Sequence, residues 1–220
     1  MEKPWSLYRI LKNNRYIIQG NMHFRISADS FLLADFFRVN RKCKNILEIG
    51  TGTAIIPILL SSATTAKIST VEIQPFMAEI ATKNLNLNRL SEQVQLICAD
   101  ISTYDILLER ESFTHIVVNP PFYENQNNIT QEKENALIQI SKTENALTLK
   151  MLTKVSKYAL KSAGTLSLIH RSEYLEKIII SLCLEGFHLS RLQFVYTTKK
   201  SEAKMVLIEA VKDIPVKSLL

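Results

Sequence analysis

The sequence predicts an α/β fold: a seven-stranded, mostly parallel sheet with helices on both faces and an antiparallel hairpin at its end. Three observations carry this. From Asn45 onward, short runs of apolar and β-branched residues alternate with helix-length segments, the pattern of a parallel sheet built from βα units. The runs are largely apolar, as strands buried on both faces require. The last two runs are separated only by the charged turn Lys199–Ala203, too short for a crossover, so they pair antiparallel.

Each element follows in order. "YRILKNNRYIIQ" reads as a hairpin turning at Asn13–Asn14. "SADSFLLADFF" (27–37) reads as an amphipathic helix whose Ser27 hydroxyl can accept a free backbone N–H. "NILEIG" (45–50) is the first core strand and 53–62 a helix that tolerates Pro57 near its first turn. "KISTVEI" (67–73) is a strand, and Pro75 opens a helix to about Leu87. "VQLICAD" (94–100) and "THIVVNPP" (114–121) are strands. A helix from about Glu144 to Leu160 is expected to end at Gly164, followed by the strand "TLSLIH" (165–170). A helix over 172–185 ends at Gly186, and strands 188–198 and 204–211 close the chain.

The 220 residues, 46% hydrophobic, suffice for one domain with a sizeable core. The division expected is a basic hairpin-and-helix extension over 1–44 and a principal domain over 45–220. No apolar stretch reaches the roughly 20 residues that span a bilayer, and no signal peptide is evident, so a cytoplasmic protein is expected. Cys43, Cys98 and Cys183 are odd in number and widely spaced, which argues against a disulfide framework and a structural zinc site. The histidines His23, His115, His170 and His188 are scattered, and no metal is expected. The net charge of +6 lies within the first 45 residues, where nine basic residues face three acidic ones. Arg9, Lys12, Arg15 and Arg25, interleaved with Tyr8, Tyr16 and Phe24, form a candidate footprint for a nucleic acid.

"EIGTGTA" places Glu48, Gly50 and Gly52 at the carboxyl end of the first core strand, where doubly wound sheets bind ligands. Glycine lets backbone approach a ligand without a Cβ in the way. Glu72 ends the second strand 20 residues after Gly52, the spacing of a ribose-binding acid in dinucleotide and S-adenosylmethionine sites alike. The third glycine of the dinucleotide pattern is missing, with Ala54 two residues after Gly52. Asp100 ends the third strand, where its carboxylate can accept from an adenine amino group. These features favour S-adenosylmethionine, and Glu48 just before the glycine turn resembles the arrangement in which methyltransferases position the methionine moiety.

"VVNPPFYEN" (117–125) ends the fourth strand, which this topology sets beside the first. Asn119–Pro120–Pro121–Phe122 resembles the N-P-P-[F/Y] signature of methyltransferases acting on planar nitrogens: adenine N6, guanine N2 or the glutamine amide of release factors. An exocyclic amine delocalises its lone pair into the ring. Two acceptors, the Asn119 side-chain oxygen and the Pro120 carbonyl, would draw that amine towards tetrahedral geometry, with the prolines fixing both. Phe122 would stack on the base, and Tyr123 is packing or pocket rim.

Taken together, "FRISADSFLLADFF", "NILEIGTGTAIIPILL", "TVEIQPFMAEIATKNLNLN", "VVNPPFYEN" and "SKTENALTLKMLTKVSKYALKSAGTLSLI" resemble the tRNA (adenine-N6)-methyltransferases that modify the adenosine beside the anticodon of a valine tRNA. The resemblance covers the "ADSFLL" segment and the core from about 45 to 212. It implies a Rossmann-like class I methyltransferase fold, S-adenosylmethionine as methyl donor, tRNA as partner, and Ser27 and Asp29 as contacts to the methionine end. The chain departs from the pattern at Ala54, Ser27 and Phe122, and the segment with Lys142 and Glu144 has no role that its chemistry suggests. The resemblance implies nothing about assembly, and a monomer is favoured. The alternatives are ribosomal-RNA guanine-N2 methylation, release-factor glutamine methylation and a non-catalytic S-adenosylmethionine- or RNA-binding module. Release-factor enzymes resemble chains with a longer, helical amino-terminal domain. The intact Asn119–Phe122 stretch argues against the non-catalytic module.

Overall fold

The computed structural model describes residues 5–10, 14–20, 26–39, 43–120 and 148–214. Pro121, Phe122, Tyr123, Lys142, Glu144, Lys12, Arg25 and the Asn13 half of the first turn lie outside them. The chain begins with a hairpin, β1 (Trp5–Ile10) and β2 (Arg15–Gly20), that forms its own two-stranded sheet. Helix α1 (Ala28–Phe36) follows. The core then runs β3 (Asn45–Ile49), α2 (Ile55–Leu60), β4 (Lys67–Glu72), α3 (Pro75–Leu87), β5 (Val94–Cys98), α4 (Tyr104–Leu107) and β6 (Phe113–Val118). It closes with α5 (Leu149–Ala159), β7 (Leu160–Arg171), α6 (Leu175–Leu184), β8 (Phe187–Tyr196) and β9 (Ala203–Lys212).

The seven strands stand in the order β5-β4-β3-β6-β7-β9-β8. All pairs from β5 to β7 are parallel, while β9 runs antiparallel to both β7 and β8. The order reverses direction at β3, so the carboxyl ends of β3 and β6 flank the crevice where such sheets take ligands. Side-chain alternation sends successive residues to opposite faces. Ile46, Ile68, Val117, Ile169 and Leu207 pack with α1, α2 and α3. Leu47, Ile49, Ile116, Val118, Leu166 and Ile208 pack with α5 and α6 on the other face. The amino-terminal hairpin and α1 share the first core through Ile10, Ile17, Leu33, Phe36 and Phe37.

Three expectations are corrected. Ser27 occupies the N-cap of α1 in extended geometry, but its side chain makes no capping bond. The second helix starts at Ile55, not 53, because Ala54 adopts a left-handed φ of 63° that a helix cannot contain. Gly164 terminates no helix. Helix α5 stops at Ala159, because Leu160 pairs with Phe113 of β6 and its carbonyl accepts from the buried Lys212 Nζ at 2.6 Å. The left-handed residue before the pairing resumes is Ala163, φ 61°, so Gly164 lies inside β7.

Candidate active site

The turn after β3 is made by alternating left-handed residues: Gly50 at φ 78°, Gly52 at 56° and Ala54 at 63°. Gly50 and Thr51 both donate their N–H to the Val71 carbonyl, at 2.9 and 3.2 Å, which ties the turn to β4. A Cβ at Gly50 would meet nothing within 4 Å. The turn therefore presents bare backbone to open space, the form of a cradle for a ligand.

Glu48 is 1% exposed, and Oε2 accepts from the hydroxyls of Thr51 and Thr70, the latter at 2.6 Å. Oε1 is buried without a hydrogen-bond partner among the described residues. A buried acceptor left unpaired is costly, and Glu48 stands two residues before Gly50, where the turn begins. Burial pushes the Glu48 carboxyl up to about 7; the two threonine hydroxyls pull it down, and the neighbouring Glu72 charge adds a smaller push upward. Glu72, also buried, accepts from Gly52 N–H at 2.8 Å through Oε2 and from Gln74 N–H at 2.9 Å through Oε1. Burial raises its pKa too, against three backbone hydrogen bonds that lower it. Asp100 caps the short 3-10 turn after β5, accepting from Ser102 N–H at 2.8 Å with Oδ1. The three acids thus end three neighbouring strands, β3, β4 and β5, around one turn.

Across that turn lies Asn119. Ile49 pairs with Val118 in parallel register, so Asn119 follows β6 beside Gly50. Its Nδ2 donates to Ser30 Oγ at 3.2 Å, and Pro120 is buried. The amino end of α1 therefore reaches the same edge, bringing Ser27, exposed, and Asp29, half-buried. Pro121 and Phe122 lie outside the described residues. In the amino-terminal hairpin, Arg9 Nη2 donates to Asn14 Oδ1 at 2.6 Å and Arg15 Nη1 to the Asn88 carbonyl at 2.8 Å. Arg9 is exposed, while Arg15 spends part of its guanidinium anchoring the strand.

Sequence reasoning missed four residues of this edge. Thr51 is three residues after Glu48, a spacing that a turn could have signalled. Thr70 is the register partner of Glu48 across β3 and β4, visible only once the strands are aligned. Ser30 and Asn84 act over long separations. Asn84, fully buried, accepts from Ile18 N–H at 2.6 Å and donates to the carbonyls of Ile18 and Thr53, both at 2.9 Å. It joins the hairpin to the glycine turn.

The methyltransferase small domain family model matches residues 23–187. The chain belongs to that family. The match spans α1, the glycine turn, the acid-ended strands and Asn119. Among its relatives, a tRNA1(Val) (adenine(37)-N6)-methyltransferase of Haemophilus influenzae (strain PittEE) is 33% identical over 111 residues, 50% of this chain and 47% of that protein. The chain thus matches about half the length of the first such relatives. A protein of the same name from Aliivibrio salmonicida is 28% identical over 185 residues, covering 84% of this chain and 76% of its own. In fold, a predicted O-methyltransferase of Agrobacterium tumefaciens superposes with TM-score 0.66 at 22% identity, covering 87% of this chain and 84% of that one. M. jannaschii TYW2 in complex with AdoMet gives 0.63 at 12% identity, over 96% and 86%. Both carry the class I methyltransferase fold of this family.

Proposed function

We propose that this chain is an S-adenosylmethionine-dependent methyltransferase acting on the N6 amine of an adenosine in tRNA, beside the anticodon of a valine tRNA. The observation that carries the reading is the position of Asn119, at the end of β6 directly beside the glycine turn. The names of the relatives select adenine over guanine.

The residues present fit the methyl donor. The open side of Gly50 admits its backbone approach, the unpartnered Glu48 Oε1 suits its ammonium group, Glu72 suits ribose hydroxyls, and Asp100 suits the adenine amine. Ser27 and Asp29 are the candidates to close over its methionine end. When bound, S-adenosylmethionine supplies an electrophilic sulfonium methyl. The protein's part is orientation. Asn119 Oδ1 and the Pro120 carbonyl accept the two N–H groups of the target amine, drawing its lone pair out of conjugation and towards the methyl. Holding the two reactants in line supplies much of the acceleration. Pro121 stiffens the loop, and Phe122 stacks on the base, a contact worth roughly 1–3 kcal/mol in comparable sites. A base in a tRNA loop is cheaper to present than one in a duplex. Arg9, Lys12, Arg15 and Arg25 attract the phosphate backbone, which makes RNA affinity fall with salt. In this reading the enzyme works on tRNA in the cytoplasm.

The test is methylation of total tRNA from a strain lacking the enzyme, followed by nucleoside mass spectrometry. N6-methyladenosine is expected with the native protein. With Asn119→Ala it should vanish while S-adenosylmethionine binding persists. N2-methylguanosine, or no modified nucleoside, would overturn the substrate assignment; retained turnover by Asn119→Ala would overturn the mechanism.

A further inference from the structure

The face that α1 turns to the core carries Leu33, Phe36 and one polar residue, Ser30, which is 6% exposed. A hydroxyl buried there is costly unless it is bonded, and its bond is to Asn119 Nδ2, 89 residues away in sequence. The helix that carries it is fixed to the sheet. Its last carbonyl, Phe36 O, accepts from Arg191 Nη2, and that guanidinium lies 3.6 Å from the centre of the Phe36 ring. Arg191, itself 9% exposed, pairs with Glu209 at 3.4 Å. Ser30 is thus presented to Asn119 from a rigid element.

A carboxamide is two-sided: its nitrogen only donates and its oxygen only accepts. Its terminal torsion is broad and nearly two-fold, so the side chain has no strong preference of its own. With Nδ2 committed to Ser30, Oδ1 is turned to the other side of the group. We propose that Ser30 is a positioning residue for methyl transfer: its hydroxyl holds Asn119 Nδ2 so that Oδ1 is presented to the N–H of the target amine. A rotated amide would oppose N–H to N–H and leave the lone pair in the ring. This inference rests on the reading of Asn119 as the acceptor.

Ser30→Ala, Ser30→Thr and Asn119→Ala are compared with the native enzyme for kcat, KM for tRNA, S-adenosylmethionine affinity by calorimetry, and Tm. Ser30→Ala is expected to lower kcat about tenfold through misorientation, with KM, cofactor affinity and Tm near native. Ser30→Thr, which keeps the hydroxyl, is expected to restore kcat. A native kcat in Ser30→Ala alongside an inactive Asn119→Ala would overturn the role of Ser30 and leave the acceptor reading standing. So would a loss of kcat in Ser30→Ala matched by a loss of cofactor affinity or Tm, which assigns the effect to α1 as a whole. A folded Ser30→Thr as slow as Ser30→Ala would also overturn it. Full activity in Asn119→Ala is a different failure, that of the acceptor reading itself.

Discussion

At its carboxyl end the chain adds the hairpin β8–β9 to the sheet through a backbone ladder: Thr165 to Arg171 of β7 pair in unbroken register with Val211 to Met205 of β9. At its amino end, β1 and β2 pair, among the described residues, only with each other and are fastened to α3 by side chains. Asn84 brackets Ile18, using both ends of its amide on that residue's N–H and C=O. Asn88, one helical turn later, does the same to Tyr16, accepting from its N–H at 2.9 Å and donating to its carbonyl at 2.6 Å. Two carboxamides spaced i, i+4 lie on one helix face, and they meet alternate residues of a strand. The helix thus offers β2 the donors and acceptors that a neighbouring strand would. The difference lies in what each attachment demands. A ladder uses backbone that nearly every residue supplies, whereas this dock draws on particular side chains: two carboxamides, the Arg15 guanidinium and the core contacts of Ile10 and Ile17.

Breaking the dock should therefore cost most where it is also tied to the glycine turn. Asn84→Ala leaves the part-buried Ile18 N–H and C=O and the buried Thr53 C=O without their partner, a loss of about 3 kcal/mol in sum. Urea unfolding should show that loss, with weaker S-adenosylmethionine binding because Thr53 belongs to the turn. Asn88→Ala should lose about half as much. It should speed proteolysis within the first 20 residues and leave cofactor affinity native. Equal effects on cofactor affinity from both variants would show that Asn84 is no link between hairpin and turn.

This contrast also explains how much could be read beforehand. The strand ends, the glycine turn and the carboxyl-terminal hairpin were legible because each is written locally: Gly50 and Gly52 in one turn, Glu48 and Glu72 ending their strands, and two apolar runs with no helix between. Even the place of Asn119 followed from strand order. Ser30, Thr70 and Asn84 were not legible, since their partners are distant in sequence and are set by register or by the docking of α1. Gly164 misled for the opposite reason. Glycine commonly ends helices, but here the end was set by Leu160 joining β6 and by Lys212 reaching its carbonyl.

Charge separates the two regions further. The two carboxamides that hold β2 on α3 are neutral, so their hydrogen bonds should not follow pH. The pH response belongs instead to the sheet end between the hairpins, at Glu48. Its folded pKa, pushed up to about 7 from 4.5 chiefly by burial, lies above its unfolded value. The folded state therefore binds the proton more tightly, and that stabilisation is complete below 4.5 and is lost as pH rises through about 7. The change is on the order of 3 kcal/mol. Glu48→Gln, equal in size and uncharged, should flatten most of the slope in urea midpoints measured between those limits. What remains is a balance of two opposed contributions: burial raises Glu72, which acts in the same sense, and burial lowers His115, whose stabilisation grows as pH rises. An unchanged slope would assign the response to other groups.

The smallest effect is expected in the carboxyl-terminal hairpin, where backbone does the holding. Gly186 enters β8 with φ 77°, and its carbonyl accepts from Asp213 N–H at 3.0 Å to close the hairpin's open end. A Cβ there would come 3.2 Å from Lys157 Nζ, which is ion-paired with Asp213, so the cost is the left-handed backbone together with a small shift of that pair. Gly186→Ala should destabilise by about 1 kcal/mol, read as a lower Tm with unchanged urea m-value and native cofactor affinity. The ladder of seven residue pairs between β7 and β9 remains intact in this variant, so the strain has nothing to propagate through. A loss as large as that of Asn84→Ala would mean that the carboxyl-terminal hairpin, too, hangs on a single residue, and the contrast between ladder and dock would fail.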